Sequence, residues 1–295
     1  MSDITDKVAA LLDSPLGCTF LHLAHSTGLT PHELSTPPIT LYIGAWATKA
    51  IDVWRGNYQR LAQEIVRRGP KYASLAEALL EEEGSAWWFG PIDRGNQINA
   101  PRWNLAPDPK SMAIPKDPPS NLERYSQQVF RGLLTSSEIN GFTSLFATLD
   151  CGAGDVRGGY LNPPYQNWRL MVNESARVLE IDGPQSWHNL CMAYPAKKSP
   201  NLSHPDFSGD AGQIVPDWAM VKSDWDAVHL TFGGLLTAEQ VRVQSPDGWT
   251  YLWGWNSELT LWLRWAFTSV EHLPDYVPRR PSFLPNLGFL EKLLR

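Results

Sequence analysis

Cysteine is scarce in this sequence, with three among 295 residues. Cys18, Cys151 and Cys191 are odd in number and lie far apart along the chain. The disulfide frameworks of small secreted domains need an even set of cysteines at closer spacing. We therefore expect three free thiols, buried as small apolar side chains, in a protein of the reducing cytoplasm.

Long apolar runs and clusters of positive charge are missing as well. The sequence has no run of about 18 apolar residues and no cationic segment followed by an apolar one at its start, so we expect neither a membrane span nor a secretory signal peptide. The net charge is −6, and Lys and Arg do not gather into a block. Because this pattern gives no electrostatic footprint for duplex nucleic acid, we do not expect nucleic acid as a partner.

Complete catalytic, cofactor-binding and metal-binding motifs are also lacking. Residues 152–159 are rich in glycine, but they have neither the Lys-Ser/Thr of a P-loop nor the G-x-G-x-x-G spacing of a dinucleotide site. His22, His25 and His32 have helix-like spacing, but no nearby carboxylate or Cys completes a metal site. We therefore expect no metal ion.

Tryptophan, by contrast, is plentiful, and seven of the 14 tryptophans fall within residues 216–267. Apolar and polar residues alternate there, as in strands with one buried face. Residues 226–231 predict a strand, and residues 241–244 and 249–253 predict a hairpin about the turn Pro-Asp-Gly. Residues 259–267 are rich in aromatic side chains and predict a central strand, with a helix as the alternative.

The first third of the chain has helical periodicity instead. Ile4, Val8 and Leu11 recur at helical spacing. The sequence Thr-Pro-His-Glu at residues 30–33 combines the capping Thr, the first-turn Pro and the Glu that begin many helices. Residues 39–68 predict either one long helix or two helices. Together these signals indicate a small helical bundle.

The two patterns divide the chain into three parts. Residues 1–97 predict a helical domain, the proline-dense residues 98–121 an extended connector, and residues 122–295 an α+β domain. In the last part, residues 168–172 and 176–181 alternate on either side of Asn-Glu-Ser and predict a hairpin. The predicted fold class is therefore α+β, with an N-terminal helical bundle followed by a mixed, mainly antiparallel split sheet with flanking helices.

Four segments of the α+β part carry a resemblance to a group of proteins. They read F-R-G-L-L-T-S-S at residues 130–137, R-L-M-V followed by A-R-V-L-E-I-D within residues 169–182, W-D-A-V-H-L-T at residues 225–231, and G-W-N-S-E-L-T-L-W-L at residues 254–263. Their succession resembles uncharacterised bacterial and phage proteins that carry a G-G-L-W-T-S box, a Y-D-A-V/I-E/H-L box and a G-W-D-x-E-S box. That group carries no established reaction.

The order of strands and boxes also resembles the split sheet of ADP-ribosyltransferase-like domains, including the branch of toxins that degrade NAD. In that superfamily a basic strand, a strand with a Ser/Thr or Tyr end, and a late Glu surround the nicotinamide ribose. By this resemblance Thr135, Ser136 and Ser137 match the Ser/Thr strand end, and Glu258 matches the late carboxylate. The resemblance implies NAD as the substrate.

Two positions depart from the pattern of these families. Arg124 and Arg131 compete for the place of the first basic residue, and Arg131 is taken as the site residue. His229 stands where the Y-D-A-V-E form of the second box has its Glu. His229 is then a general base or a ribose contact, and a hydrogen-bonded interior histidine is the alternative.

The chemistry of cleaving the nicotinamide–ribose bond explains why an enzyme of this kind needs these residue types. The reaction produces an oxocarbenium-like centre, which needs a carboxylate to hold the ribose hydroxyl and stabilise positive charge. It also needs hydroxyl or amide groups for the carboxamide and an aromatic face for the ring. Glu258, Ser136 and Trp255 supply one of each. A solvated surface Glu258 and a core Trp255 are the alternatives.

Two functions of different kinds follow from the sequence. The first is an enzyme that cleaves NAD or transfers ADP-ribose to a protein or small-molecule acceptor. The second is a non-catalytic immunity or regulatory protein that binds a partner through a Trp-rich surface, since tryptophan is a favoured anchor in interfaces.

Overall fold

Helices occupy the N-terminal part of the structure, and a mixed sheet with flanking helices follows. The computed structural model describes residues 4–51, 58–99, 133–151, 164–196 and 212–277. The order of elements within these ranges confirms the predicted α+β class. The helices are α1 (Ile4–Asp13), α2 (Pro15–Thr27), α3 (Pro31–Leu34), α4 (Pro37–Ala50), α5 (Tyr58–Arg67), α6 (Ala73–Glu81), α7 (Ser144–Cys151), α8 (Pro184–Ala193), α9 (Trp218–Asp224) and α10 (Phe232–Ala238).

Local capping explains where the first helices begin and end. The Ser14 side chain accepts a hydrogen bond from the N–H of Gly17 and caps α2, which ends at Gly28 with φ 70°. A residue without a side chain suits this left-handed position. Thr30 and Glu33 form the reciprocal capping box predicted for residues 30–33. The helix start predicted at residues 30–33 is therefore confirmed.

Residues 39–68 form two helices rather than one. α4 ends at Ala50, where the N–H of Ile51 donates to the carbonyl of Ala47, and α5 begins at Tyr58. Residues 52–57, including Gly56 and Asn57, lie outside the described residues.

Most of the described strands have four residues or fewer, and three of them have seven or more. They are β1 (Gln97–Asn99), β2 (Leu133–Ile139), β3 (Phe142–Thr143), β4 (Tyr165–Val172), β5 (Val178–Ile181), β6 (Ala227–Leu230), β7 (Arg242–Ser245), β8 (Gly248–Tyr251), β9 (Leu259–Trp262) and β10 (Phe267–Tyr276). The main sheet has the order β10-β4-β1-β2-β9-β6-β5, and β3 pairs with β2. Among the described strands, β5 and β6 make the one parallel pair.

Two sequence predictions for the Trp-rich stretch are confirmed. β7 and β8 form a hairpin in which Ser245 lies opposite Gly248, so the connection is the predicted Pro-Asp turn. β9 lies between β2 and β6 in the main sheet and is a central strand, although it ends at Trp262. The hairpin forms a separate two-stranded sheet.

The predicted hairpin of residues 168–172 and 176–181 is wrong. These segments are β4 and β5, but β4 pairs with β1 and β10, whereas β5 pairs with β6 at the opposite edge of the sheet. The turn residues between them indicated a direct antiparallel return. The chain instead crosses the sheet, because β5 finds its partner about 50 residues further along the sequence.

The predicted boundary at residue 97 falls inside β1. Gln97 and Ile98 lie opposite Ser137 and Ser136 of β2, and the same short strand pairs with β4 on its other side. The end of the predicted helical part thus supplies an internal strand of the sheet. Residues 100–121 of the predicted connector lie outside the described residues, and the division into domains stays a prediction.

Apolar side chains of the helices and of the α+β part share one buried cluster. Trp88 is fully buried between them, with ring centroids 5.5 Å from Phe20 of α2 and 5.4 Å from Phe232 at the start of α10. Edge-to-face contacts of this kind add to the free energy gained by burying the rings. A second, smaller cluster gathers about Trp168 and Trp262.

Candidate functional site

Neighbouring strands bring polar side chains to one place in the interior. Glu180 of β5 lies opposite His229 of β6, and His229 lies opposite Thr260 of β9. Side chains of opposite residues project from the same face of a sheet. Glu258 precedes β9 by one residue and reaches His229 from that side. Because every residue of β6 and β9 is buried, polar groups here need partners within the protein.

The carboxylate of Glu258 accepts three hydrogen bonds. Ser136 donates its Oγ–H to Oε2 over 2.5 Å, and the backbone N–H of Ser137 donates to Oε1 over 3.1 Å. His229 Nε2 lies 3.0 Å from Oε1. The backbone N–H of Glu258 itself donates to Ser144 Oγ over 3.0 Å. Both ends of this residue are therefore fixed.

His229 bridges two carboxylates. Its second ring nitrogen, Nδ1, hydrogen-bonds Oε2 of Glu180, whose Oε1 accepts from the N–H of Ile92 over 3.1 Å. Burial by itself lowers the pKa of His229, but the hydrogen bonds to Glu180 and Glu258 and their charges outweigh it and raise the pKa to about 9. At neutral pH His229 is thus an imidazolium that donates to both carboxylates.

Solvent reaches this cluster at Glu180. The side chain of Glu180 is 30% exposed, whereas those of His229 and Glu258 are 4% and 5% exposed. We name the four residues Ser136, Glu258, His229 and Glu180 the Glu-His-Glu cluster. It forms a continuous line of hydrogen bonds from the interior to the partly exposed carboxylate.

Sequence reasoning predicted three members of the cluster and missed Glu180. Ser136, His229 and Glu258 come together as hydrogen-bonded neighbours, and their catalytic roles stay predictions. The alternative of a solvated Glu258 is wrong, because Glu258 is 4% exposed. Glu180 lies within the A-R-V-L-E-I-D segment, but the predicted hairpin paired that segment with β4 rather than with the strand of His229.

A second layer of hydrogen bonds surrounds the serine strand. Gln97 Nε2 donates to Ser137 Oγ over 3.0 Å, and Thr135 Oγ1 donates to Gln97 Oε1. Trp262 Nε1 donates to Thr135 Oγ1 over 2.8 Å. The hydroxyls of Thr135 and Ser137, both predicted to bind the cofactor, are therefore engaged with Gln97. Of the three hydroxyls, that of Ser136 contacts Glu258.

The remaining predicted residues lie elsewhere or outside the described part. Trp255 is buried, and its ring makes an edge contact with Trp187 at a centroid distance of 6.4 Å. This position fits the core alternative, and a nicotinamide-stacking role for Trp255 stays a prediction. Arg131 and Arg124 lie outside the described residues.

The tryptophans of the described residues are buried or half-buried. Of the 12 tryptophans whose burial the structure describes, none is exposed. Four of these 12, Trp87, Trp225, Trp253 and Trp265, are half-buried, and the hypothesis of a Trp-rich binding surface stays a prediction.

The described ranges also bear on metal sites and membrane spans. They contain no group of three or more His, Cys, Asp or Glu placed to hold a metal ion. No helix in them combines the length and the apolar composition needed to span a bilayer. The three cysteines are buried and free, as expected, and burial raises the pKa of the Cys18 and Cys151 thiols to about 12.

Comparisons of the chain with protein-family models, with curated proteins and with solved structures found no match. The resemblance to ADP-ribosyltransferase-like domains therefore stays a prediction from the sequence boxes.

Proposed function

We propose that this protein cleaves the nicotinamide–ribose bond of NAD, or transfers the ADP-ribosyl group from it, with Glu258 as the carboxylate that faces the ribose. The observation that supports the proposal is the meeting of Ser136, His229 and Glu258, with Ser136 Oγ 2.5 Å and His229 Nε2 3.0 Å from the Glu258 carboxylate. In the sequence, Ser136 lies 122 positions before Glu258, and His229 lies 29 positions before it.

The chemistry requires a negative charge beside the anomeric carbon. When the bond between C1′ and the ring nitrogen breaks, both electrons stay with the nitrogen and neutralise nicotinamide, and positive charge develops on the ribose. The Glu258 carboxylate stabilises that charge and accepts the ribose hydroxyl, for which the rotatable Ser136 hydroxyl gives way. Water then forms the new bond to C1′ and releases one proton, or an acceptor hydroxyl does so in transfer.

His229 serves this reaction as a fixed cation rather than as a base. Its pKa of about 9 leaves it protonated at neutral pH, so it has no free lone pair with which to take a proton. It instead orients Glu258 through Nε2 and balances the charges of the two carboxylates. Glu180, the partly exposed member, is the group that takes the proton from the attacking water.

Release of nicotinamide from NAD tests the proposal. The purified protein is incubated with NAD, and nicotinamide is measured by chromatography for the wild type and for Glu258→Gln. Loss of a catalytic carboxylate costs on the order of 10²-fold or more in rate. We expect a loss of at least this size in Glu258→Gln, with the rise in melting temperature caused by NAD retained.

Glu138→Gln is the matched control. Glu138 lies on β2, two residues from Ser136, but its carboxylate pairs with Arg169 over 3.4 Å and does not contact the Glu-His-Glu cluster. This variant should release nicotinamide at the wild-type rate. A wild-type protein that neither releases nicotinamide nor gains melting temperature with NAD would refute the proposed function.

A further inference from the structure

A strained corner connects β8 to Glu258. We define the corner as residues 252–257. Gly254 has φ 86° and Asn256 has φ 58°, so two of its residues lie in the left-handed region. This conformation is uncommon for a residue with a side chain, such as Asn256, and it persists where the surroundings hold it. The corner ends one residue before Glu258, so its shape contributes to where the backbone of Glu258 lies.

Glu239 supplies the contacts that hold the corner. Its Oε1 accepts the N–H of Gly254 over 2.6 Å, and the N–H of Trp255 lies near enough to this carboxylate to lower its pKa. Beside it, the N–H of Gln240 donates to the carbonyl of Leu252 over 2.7 Å. The two residues that follow α10 thus hold the corner at Leu252 and Gly254.

The Glu239 carboxylate is buried without a counter-ion among the described residues. The residue is 2% exposed, and no described group hydrogen-bonds its Oε2. Burial raises the pKa of Glu239 to about 7, and the two backbone N–H groups oppose that rise. A buried acid of this kind is costly for the fold. The contribution of Glu239 to the structure is the contact of its carboxylate with the backbone of the corner.

The same helix leads back to His229. The N-cap of α10, Thr231, follows His229 by two residues, and Glu239 directly follows the last residue of the helix. One path therefore runs from His229 through α10 to Glu239, across its hydrogen bonds to the corner, and on to Glu258. The path closes where His229 Nε2 meets the Glu258 carboxylate at 3.0 Å.

We propose that Glu239 is a positioning residue, which holds the corner and thereby sets the Glu258 carboxylate against the imidazole of His229. Its action runs through backbone hydrogen bonds and needs no contact with His229, Glu258 or a substrate. The inference does not depend on NAD cleavage, because the contact between His229 and Glu258 can be measured directly.

Titration of the His229 ring by NMR provides that measurement. The wild type is compared with Glu239→Gln, which keeps a side-chain oxygen to accept both N–H groups, and with Glu239→Leu, which has no acceptor. Thr237→Val is the matched control, because Thr237 is a buried polar residue of the same helix whose hydroxyl bonds Gly233 within the helix. Circular dichroism checks that each variant is folded.

We expect Glu239→Gln and Thr237→Val to titrate as the wild type. In Glu239→Leu the corner relaxes and Glu258 moves away from the ring, so His229 should bind its proton at least about tenfold more weakly, which is one pKa unit. If Glu239→Leu does not fold, Glu239→Asp replaces it, since its shorter side chain cannot reach the corner without moving it and should weaken proton binding in the same direction. A folded variant of either kind that titrates as the wild type would overturn the proposal, whatever the outcome with NAD.

Discussion

The pH dependence of stability gives a quantitative test of the Glu-His-Glu cluster. The pKa of His229 rises from 6.5 to about 9 on folding, which is a difference of about 2.5 pH units. Each unit corresponds to about 1.4 kcal/mol, so protonated His229 contributes about 3 kcal/mol to the free energy of unfolding. This contribution is large beside the stability of a typical domain, which is about 5–15 kcal/mol.

The direction of this pH dependence follows from whether the folded or the unfolded chain keeps the proton on His229. Below pH 6.5 the folded and unfolded chains both carry it, and the contribution is fully present. Between pH 6.5 and about 9 the unfolded chain releases its proton while the folded chain retains it, so the free energy of unfolding falls as pH rises. Above pH 9 the contribution of His229 is lost. Glu239, with a pKa of about 7, adds to this fall mainly below pH 7, and the buried thiols, whose pKa burial raises from 9.0, add to it near pH 9, so the change between pH 7 and 8 belongs mainly to His229.

Urea unfolding followed by tryptophan fluorescence measures this effect at pH 7, 7.5 and 8. We expect the wild-type free energy of unfolding to fall by roughly 1.4 kcal/mol per unit. His229→Gln removes the titrating group and should abolish most of that slope. An unchanged slope in His229→Gln, or an NMR titration of the His229 ring centred near 6.5, would refute the reasoning about the two flanking carboxylates.

Two further substitutions test contacts of the site and of its support. Ser136→Ala removes the 2.5 Å donor of Glu258 and should cost about 1–3 kcal/mol, the usual range for a hydrogen bond to a charged group; urea unfolding with an unchanged midpoint would contradict this. In Gly234→Ala the new Cβ would lie 2.0 Å from the carbonyl oxygen of Ile181, so α10 must shift from β5 and stability should fall by about 1–3 kcal/mol or more. Gly183→Ala, whose Cβ would meet no atom closer than 3.7 Å, is the control and should unfold as the wild type.

Local signals predicted the parts of this fold that depend on neighbours in sequence. The capping box of Thr30 and Glu33 acts within a few residues, and the helix that it begins is where the pattern places it. The turn of the β7–β8 hairpin is local too. In each case the residues that determine the structure are also those that adopt it.

The pairing of distant strands could not be predicted in this way. Alternation indicated that β4 and β5 are strands, but it contains no information on which strand lies beside which. The parallel pairing of β5 with β6 joins Glu180 to His229 across 49 residues, far beyond the reach of any local signal. The error over this pairing is also the reason why Glu180 was missed. Ser136, His229 and Glu258 were found because the sequence boxes supplied an order that alternation lacks.

The position of β1 means that the sheet of the C-terminal part takes one of its internal strands from the end of the helical part. This three-residue strand lies between β2 and β4, and it comes from the end of the helical part. A fragment that began at residue 122 would lack it, and the sheet would divide into a two-stranded ribbon of β4 and β10 and a piece built from β2, β9, β6 and β5. Two-stranded ribbons are marginally stable by themselves in water. Any shortened form that is to keep its sheet in one piece must therefore retain the chain back to Gln97.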